Sequence, residues 1–235
     1  MSRWFESPGP LLLGHRGASA FAPENTIAAF ELAIEQGAVG IEFDVQVSKD
    51  NVPVIIHDTL VDRTTNGNGK VTEMTLAELQ ALDAGNGETI PTLAQLLTTF
   101  KDKILYNLEI KNADIEDAGA EQIILTELAK HDLKANVLIS SFNKNALLRI
   151  KRVAGAEWPI AYLWVEQPDQ ELRNKLSAVA EHPYHKLIDA KYMAWAKANE
   201  LLVNTWTVDD PAQAEMLISL GVTGIITNRP IDMKF

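Results

Sequence analysis

The sequence predicts an α/β protein, in the form of a (β/α)8 barrel, also called a TIM barrel. Short apolar runs alternate with amphipathic segments along most of the chain, and eight such runs can be counted as barrel strands. The length of 235 residues is close to the ~250 residues of a typical barrel. No glycine-rich dinucleotide or P-loop fingerprint follows any predicted strand. A doubly wound open sheet remains the alternative.

The N-terminal quarter predicts a strand, a helix and a β-hairpin. The apolar run Leu11–Leu13 ends at Gly14-His15-Arg16-Gly17, as a buried strand ends at a turn. A helical pattern runs from Ala22 to Gly37, with Asn25 or Thr26 as its N-cap. Val39–Val47 then alternates in the manner of a strand, Lys49-Asp50-Asn51 predicts a tight turn, and Val52–His57 predicts the returning strand. We therefore expect His57 to return to the level of Asp44.

The remainder of the chain predicts one excursion followed by regular alternation. Asp58–Asn86 is rich in Thr, Asn, Gly and Asp and contains one helical segment, Leu76–Leu82, and a further helix begins at Pro91 and ends near Phe100. The predicted later strands are Ile104–Ile110, Val137–Ser141, Pro159–Trp164, His185–Ile188, Leu202–Val208 and Thr223–Thr227. The predicted helices between them are Ile115–His131, Lys144–Val153, Pro168–Ala180, Ala190–Asn199 and Pro211–Leu220.

Composition limits the classes of partner. The chain is 46% hydrophobic and 23% charged, with a formal net charge of -11 and a pI near 4.9. So acidic a surface repels nucleic-acid backbones and anionic lipids, so we expect neither nucleic acid nor stable membrane association. The absence of cysteine excludes disulfides and thiolate metal sites. Without a recognisable signal peptide or membrane span, a cytoplasmic location is expected, and the oligomeric state is not indicated.

Three carboxylates are predicted to face the barrel interior. Glu42 and Asp44 are two residues apart on one strand, so their side chains share a face, and Glu109 lies on a later strand together with Lys111. Carboxylates clustered in this way repel each other unless a cation compensates them. Oxygen ligands without thiols favour Mg²⁺ or Ca²⁺, with Mn²⁺ as an alternative. The simpler interpretations are carboxylates that face solvent and a Glu109–Lys111 ion pair without metal.

The two histidines His15 and His57 end apolar, strand-like runs, and together they form a candidate general acid/base pair. Asp58 can orient one of them, although we expect it to begin the next turn. Arg16 and Lys111 provide positive charge suited to a phosphate. Together with three carboxylates and a divalent cation they sum to a charge of +1, which matches a singly charged phosphodiester.

Trp206 lies near a strand end on the same face as Asn204. A tryptophan at a barrel mouth can form an apolar wall for a substrate, and it can equally belong to the core.

Seven motifs occur in order between Leu11 and about Pro230. They are His15-Arg16-Gly17, Pro23-Glu24-Asn25-Thr26, Glu42-Phe43-Asp44-Val45, His57-Asp58 followed by Asp62-Arg63-Thr64-Thr65, Ile90-Pro91-Thr92-Leu93, Glu109-Ile110-Lys111 and Trp206-Thr207-Val208. This set resembles the signature of the glycerophosphodiester phosphodiesterase family. The resemblance implies a single (β/α)8 domain over residues 1–235, with a small family insertion after the second strand, at about residues 46–90.

The resemblance also implies the activity and the roles of the site residues. The expected reaction is metal-dependent hydrolysis of a small glycerophosphodiester to sn-glycerol 3-phosphate and an alcohol. Glu42, Asp44 and Glu109 are implied as metal ligands, and His15 and His57 as the catalytic pair. Arg16, Lys111 and Trp206 are implied to bind the substrate.

One departure from the family concerns the insertion, and two rival functions remain. The segment Asp83–Thr89 is shorter than in many relatives and lacks an aromatic residue often found there, which leaves the preferred alcohol undetermined. A lipid-acting phospholipase D would favour an apolar pocket rim and often a secretion signal. A catalytically silent phosphate-ester sensor would lack a histidine or a carboxylate, and none is missing here.

Overall fold

The computed structural model describes residues 3–6, 9–111 and 119–235. The strands are β1 (Leu11–His15), β2 (Gly40–Val47), β3 (Pro53–Ile55), β4 (Leu105–Ile110), β5 (Val137–Ser141), β6 (Ile160–Trp164), β7 (Ala180–Pro183), β8 (Leu202–Thr205) and β9 (Gly224–Thr227). The helices are α1 (Ile27–Glu35), α2 (Leu76–Gln80), α3 (Leu93–Phe100), α4 (Ala120–Leu128), α5 (Lys144–Ala154), α6 (Gln170–Leu176), α7 (Ala190–Ala198) and α8 (Pro211–Ser219).

The sheet closes on itself as a parallel barrel. Strands β1, β2 and β4 to β9 pair in parallel with their neighbours, and β1 pairs with both β2 and β9. Because β1 pairs with β2 on one side and with β9 on the other, the eight parallel strands form a closed ring. The prediction of a TIM barrel is therefore confirmed. The doubly wound open sheet is therefore wrong.

Apolar side chains fill two separate regions of the barrel. The larger cluster lies between the strands and the helices, where the outward-facing Ile41, Phe43 and Leu108 are buried. A smaller cluster, including Leu13, Leu105, Leu138 and Ile226, lines the interior. Trp4 belongs to this inner cluster, and its indole Nε1 donates to the Asn136 carbonyl at 2.8 Å. Because the strands are buried on both faces, polar residues inside the barrel stand out as exceptions.

The predicted hairpin is confirmed. β3 runs antiparallel to β2, with Val45 opposite Ile55, and Asn51 adopts a φ of 62° in the turn. The amide of Ile56 donates to the Asp44 carbonyl at 3.0 Å, which returns the next residue, His57, to the level of Asp44 as predicted. After the hairpin, the chain forms a short 3-10 turn at Val71–Glu73 and the helix α2 before it rejoins the barrel at α3.

The predicted strand His185–Ile188 is wrong. The sixth barrel strand is β7, which begins at Ala180, and His185–Leu187 forms a 3-10 turn instead. The sequence did not predict this strand because two buried polar residues interrupt its apolar pattern. Glu181 forms an ion pair with Arg173, and His182 bonds to the side-chain amide of Asn204 inside the barrel. The predicted helix that ended at Ala180 stops at Leu176, and the left-handed Ser177 follows it.

The remaining predicted helices are present with boundaries shifted by a few residues. The prediction Ile115–His131 corresponds to α4, and its first residues, 115–118, lie outside the described part of the chain. Among the described residues, α5 is the longest helix, with 11 residues, and no helix has the length and apolar character needed to cross a membrane.

Candidate active site

Three carboxylates meet at the carboxyl end of the barrel. Glu42 and Asp44 project from β2, and Glu109 projects from β4, where the sheet register sets it beside Asp44. One oxygen from each side chain lies within 4.8 Å of the others, and all three residues are buried. The alternation on each strand sends Glu42 and Asp44 inward while Phe43 packs outward. The interpretation of solvent-facing carboxylates is therefore wrong.

Two cations lie against this cluster. The Nζ atom of Lys111 is 2.6 Å from Glu109 Oε1 and 3.3 Å from Asp44 Oδ1. The Nε atom of Arg16 lies 3.2 Å from Asp44 Oδ2, and its Nη1 donates to Glu24 at 2.8 Å. Asp44 therefore lies between the two positively charged side chains. Among the described residues, neither of these side chains forms an ion pair with Glu42.

The pKa shifts follow this uneven distribution of charge. Burial and the nearby Asp44 and Glu109 raise the pKa of Glu42 well above its ordinary value. Burial and Asp44 raise the pKa of Glu109 to about 7. Burial opposes ionisation of Asp44 as well, but Lys111 and Arg16 outweigh it and lower its pKa. The cluster is thus short of positive charge, which an additional cation among these oxygens would supply.

A tight loop presents His15 and Arg16 to the carboxylates. Arg16 adopts a left-handed φ of 54°, and its amide donates to the carbonyl of Glu42 at 2.9 Å. Gly17 follows with a φ of 85°, and a Cβ on it would lie 2.5 Å from the backbone of Ala29. Glycine is required there because helix α1 approaches the loop too closely for any side chain.

His15 bonds away from the cluster through one ring nitrogen. Its Nδ1 atom lies 2.7 Å from Asn228 Oδ1, and its Nε2 atom lies 3.9 Å from Glu42 Oε2. Burial and the adjacent Arg16 guanidinium lower the pKa of His15 to about 4. The ring is therefore neutral near pH 7.

His57 comes from the segment after the hairpin. Its Nδ1 atom lies 2.5 Å from Asp58 Oδ1, and partial burial lowers its pKa although Asp44 and Asp58 oppose the shift. The amide Nε2 of Gln46 donates to the carbonyls of Ile56, His57 and Asp58 at 3.1, 3.1 and 2.6 Å. The expectation that Asp58 only begins a turn is therefore wrong, since its carboxylate also bonds to the imidazole.

Trp206 directly follows β8, at the carboxyl end of the barrel. It is half-buried, and its Nε1 atom donates to the carbonyl of His182 at 2.8 Å. Its ring meets Phe142 edge-on at 5.2 Å between centroids and lies 5.5 Å from Tyr184. Phe142 is 40% exposed, and Lys111 Nζ lies 5.8 Å from its ring centroid. These aromatic rings form an apolar wall beside the charged side chains.

The structure thus brings together the carboxylates, both cations and both histidines, with Trp206 on the wall that Lys111 approaches. Residues that the sequence did not assign to the site complete the arrangement. Asn25 donates to Asp44 Oδ2 at 2.8 Å, Glu24 pairs with Arg16, and Arg63 pairs with both Glu24 and Asp58. The motifs Pro23–Thr26 and Asp62–Thr65 were the available signal for these residues. Asn228 lies outside all seven motifs.

Comparison with known proteins agrees with this geometry. The model of the Glycerophosphoryl diester phosphodiesterase family matches residues 15–232. A glycerophosphodiester phosphodiesterase of Caldanaerobacter subterraneus is 40% identical over 232 residues, which cover 94% of each chain. One from Bacillus subtilis is 32% identical and covers 94% of this chain and 84% of the relative. A phosphodiesterase of Oleispira antarctica, solved with the product sn-glycerol-3-phosphate, has a TM-score of 0.88 at 32% identity and covers 95% of each chain.

Proposed function

The chain belongs to the glycerophosphoryl diester phosphodiesterase family, and from this premise we propose that it hydrolyses sn-glycerol 3-phosphodiesters with a divalent cation and two histidines. The products are sn-glycerol 3-phosphate and an alcohol. The observation that carries the proposal is the buried group of three carboxylates with Arg16 and Lys111 against it. Two histidine rings at the edge of that group supply groups able to transfer protons.

Glu42, Asp44 and Glu109 would hold the cation. Their oxygens converge, they are buried, and the raised pKa of Glu42 and Glu109 indicates a deficit of positive charge. An all-oxygen set suits Mg²⁺ or Ca²⁺, with Mn²⁺ as an alternative. When bound, the cation supplies Lewis-acid stabilisation of charge on the phosphoryl oxygens.

Arg16 and Lys111 would bind the phosphate. In the structure their charges are directed at Asp44 and Glu109. With a cation shared among those carboxylates, this attraction would be weaker, and the Arg16 guanidinium and the Lys111 ammonium would be able to donate to the phosphodiester oxygens. Such preorganised donors stabilise the charge that develops in the transition state by several kcal/mol.

His15 and His57 would carry the protons. One ring accepts a proton from the attacking hydroxyl, which is either water or the glycerol 2-hydroxyl in a route through a cyclic phosphate. The other ring protonates the alkoxide as the bond between phosphorus and the alcohol oxygen breaks. Trp206 would form a wall of the pocket for the apolar part of the substrate, together with Phe142.

A steady-state assay tests the proposal. Glycerophosphocholine and glycerophosphoethanolamine are supplied with Mg²⁺, Ca²⁺ or Mn²⁺, and sn-glycerol 3-phosphate is measured by a coupled dehydrogenase. We expect metal-dependent release that is lost in His15→Ala and in His57→Ala. Release of phosphocholine instead of sn-glycerol 3-phosphate, or full activity in chelator, would contradict the proposal. A transient cyclic phosphate in ³¹P NMR would identify the 2-hydroxyl as the nucleophile.

The class of partner that we propose follows from the charge of the molecule. A net charge of -11 leaves the positive Arg16 and Lys111 as a local site for a small anion rather than for nucleic acid or an anionic membrane. A cytoplasmic location and a single domain over residues 1–235, with the insertion at 46–90, stay predictions.

A further inference from the structure

We propose that Asp209 is a positioning residue that fixes, through Asn228, the tautomer and the orientation of the His15 ring. Asp209 lies in the loop between β8 and α8, and Asn228 directly follows β9. The inference rests on the proposed role of His15 in proton transfer. It adds to that role two residues from the loops that follow β8 and β9, of which β9 lies beside β1 in the closed sheet.

The first step is the contact between Asp209 and Asn228. Oδ2 of Asp209 accepts from the side-chain Nδ2 of Asn228 at 2.7 Å, and Oδ1 accepts from the backbone amide of Asn228 at 2.8 Å. Oδ1 also accepts from the hydroxyl of Thr227 at 2.9 Å. An ionised carboxylate only accepts, so the amide nitrogen of Asn228 must face it. The carboxylate therefore excludes the flipped amide, in which two oxygens would face each other.

The second step is the contact between Asn228 and His15. With the amide nitrogen held by Asp209, the remaining atom Oδ1 faces His15 Nδ1 at 2.7 Å. An amide oxygen only accepts, so His15 Nδ1 must carry the proton. The Ser19 hydroxyl lies 2.7 Å from the same oxygen and 2.8 Å from the carbonyl of His15, which also restrains the loop.

The third step concerns the other ring nitrogen. In a neutral imidazole with a proton on Nδ1, Nε2 has a free lone pair. This Nε2 atom is the one on the side of the carboxylates, 3.9 Å from Glu42 Oε2. The ring thus presents a proton acceptor to the site. The opposite tautomer would present an N–H donor there and could not accept a proton.

The variant Asp209→Asn tests this chain of bonds. The backbone amide of Asn228 still needs an acceptor, so the introduced amide keeps its oxygen on that side and turns its NH2 toward the Asn228 side chain. Two donors would then face each other, so the Asn228 amide flips and presents its Nδ2 to His15. We expect the metal-free protein to gain the Nε2–H tautomer of His15. Long-range ¹H–¹⁵N NMR on histidine-labelled protein reads the tautomer directly, and the His15→Gln spectrum assigns the signals. For glycerophosphocholine hydrolysis we expect kcat to fall about tenfold to a hundredfold, with KM changed less than about threefold.

Two further variants control for charge and folding. Asp210→Asn makes the same charge change one residue away, at the N-cap of α8, where asparagine is also a good cap. We expect it to leave the tautomer and kcat unchanged. The double variant Asp209→Asn with Asn228→Asp reverses the pair, so that an amide again donates to a carboxylate and the carboxylate accepts from His15 Nδ1. We expect it to restore the Nδ1–H tautomer and most of the lost kcat.

Several results would overturn the proposal. It is wrong if Asp209→Asn keeps the Nδ1–H tautomer, whether or not kcat falls, because a fall alone would indicate a structural role. If Asp209→Asn does not fold, the double variant decides, and an Nε2–H ring in it overturns the proposal. A wild-type protein without turnover of any glycerophosphodiester would defeat the proposed function instead, since the tautomer is measured without substrate or metal.

Discussion

The guanidinium of Arg63 donates to both carboxylate oxygens of Asp58, from Nε at 2.6 Å and from Nη2 at 3.1 Å. The same group also donates twice to Glu24 at 2.8 Å. Asp58 bonds to His57, and Glu24 pairs with Arg16, so one side chain from the insertion connects the two loops that carry these residues. Arg63 holds the pKa of Asp58 well below its ordinary value, which keeps that carboxylate ionised beside the imidazole.

Replacing Arg63 with alanine should therefore impair catalysis more than stability. We expect kcat/KM for glycerophosphocholine to fall about tenfold, because His57 and Arg16 lose a shared anchor worth roughly 1.5 kcal/mol. Arg63→Lys should recover little, since an ammonium lacks the planar fork that reaches two carboxylates. Lys70→Ala is the matched control, because Lys70 is an exposed cation of the same insertion that pairs with Glu73. Equal effects of Arg63→Ala and Lys70→Ala would contradict the prediction.

Removing the divalent cation should lower both activity and thermal stability. A ligand at a hundred times its Kd stabilises the fold by about 2.7 kcal/mol, so Mg²⁺ or Ca²⁺ should raise Tm in a concentration-dependent way. Differential scanning fluorimetry with chelator and with added metal measures the shift. Asp44→Asn should abolish it, whereas Glu31→Gln, on the exposed face of α1, should retain it. A metal-dependent Tm shift that survives in Asp44→Asn would place the ion elsewhere.

The buried His182 should make the fold sensitive to acid. Burial lowers its pKa to about 3, and its Nε2 atom lies 3.1 Å from Asn204 Nδ2 inside the barrel. The unfolded chain takes up this proton near pH 6.5, so below that pH it binds more protons than the native state. The free energy of unfolding is therefore not reduced by this group above pH 6.5. It declines by about 1.4 kcal/mol per pH unit as the pH falls from 6.5 towards 3.

Urea unfolding at pH 7 and pH 5 measures this effect. His182→Gln can still accept from the Asn204 amide but cannot bind the proton, so its loss of stability between these pH values should be smaller by roughly 2 kcal/mol. The low pKa of His15 acts in both proteins and cancels in the difference. If the free energies of unfolding of the wild type and His182→Gln changed equally with pH, His182 would not be the cause of the acid sensitivity.

Trp4 should contribute strongly to stability although it precedes the barrel. Its side chain is 2% exposed and joins the inner apolar cluster. Trp4→Ala should lower the free energy of unfolding by about 3–5 kcal/mol, since a large aromatic side chain leaves a cavity. The neighbouring Phe5 is 50% exposed, so Phe5→Ala should change it by less than about 1 kcal/mol. Chemical denaturation of the wild type and the two variants gives the comparison, and similar midpoints for both variants would show that burial of Trp4 in the inner cluster does not stabilise the fold.

Sequence periodicity was sufficient for most of the barrel because its strands are apolar and short. It failed at β7, where Glu181 and His182 interrupt the apolar pattern, because a buried polar residue satisfied by a distant partner has no local signal. The same limitation applies to the site. Glu42 and Asp44 were recognisable from their spacing on one strand. Asp209 and Asn228 were not, since their importance arises from contacts with each other and with His15, far away in the sequence.

The insertion has an apolar cluster of its own, formed by Val54, Ile56, Val61, Val71, Leu79, Ala84 and Ile90. Such small satellite cores open more readily than the main core, as separate cooperative units. His57, Asp58 and Arg63 would lose their positions when this unit unfolds. His15 and the carboxylates would keep theirs, because they belong to the barrel. Activity would then be lost reversibly on warming before the main unfolding transition of the barrel in circular dichroism. The temperature limit of activity would thus depend on the smallest core in the molecule rather than on the barrel.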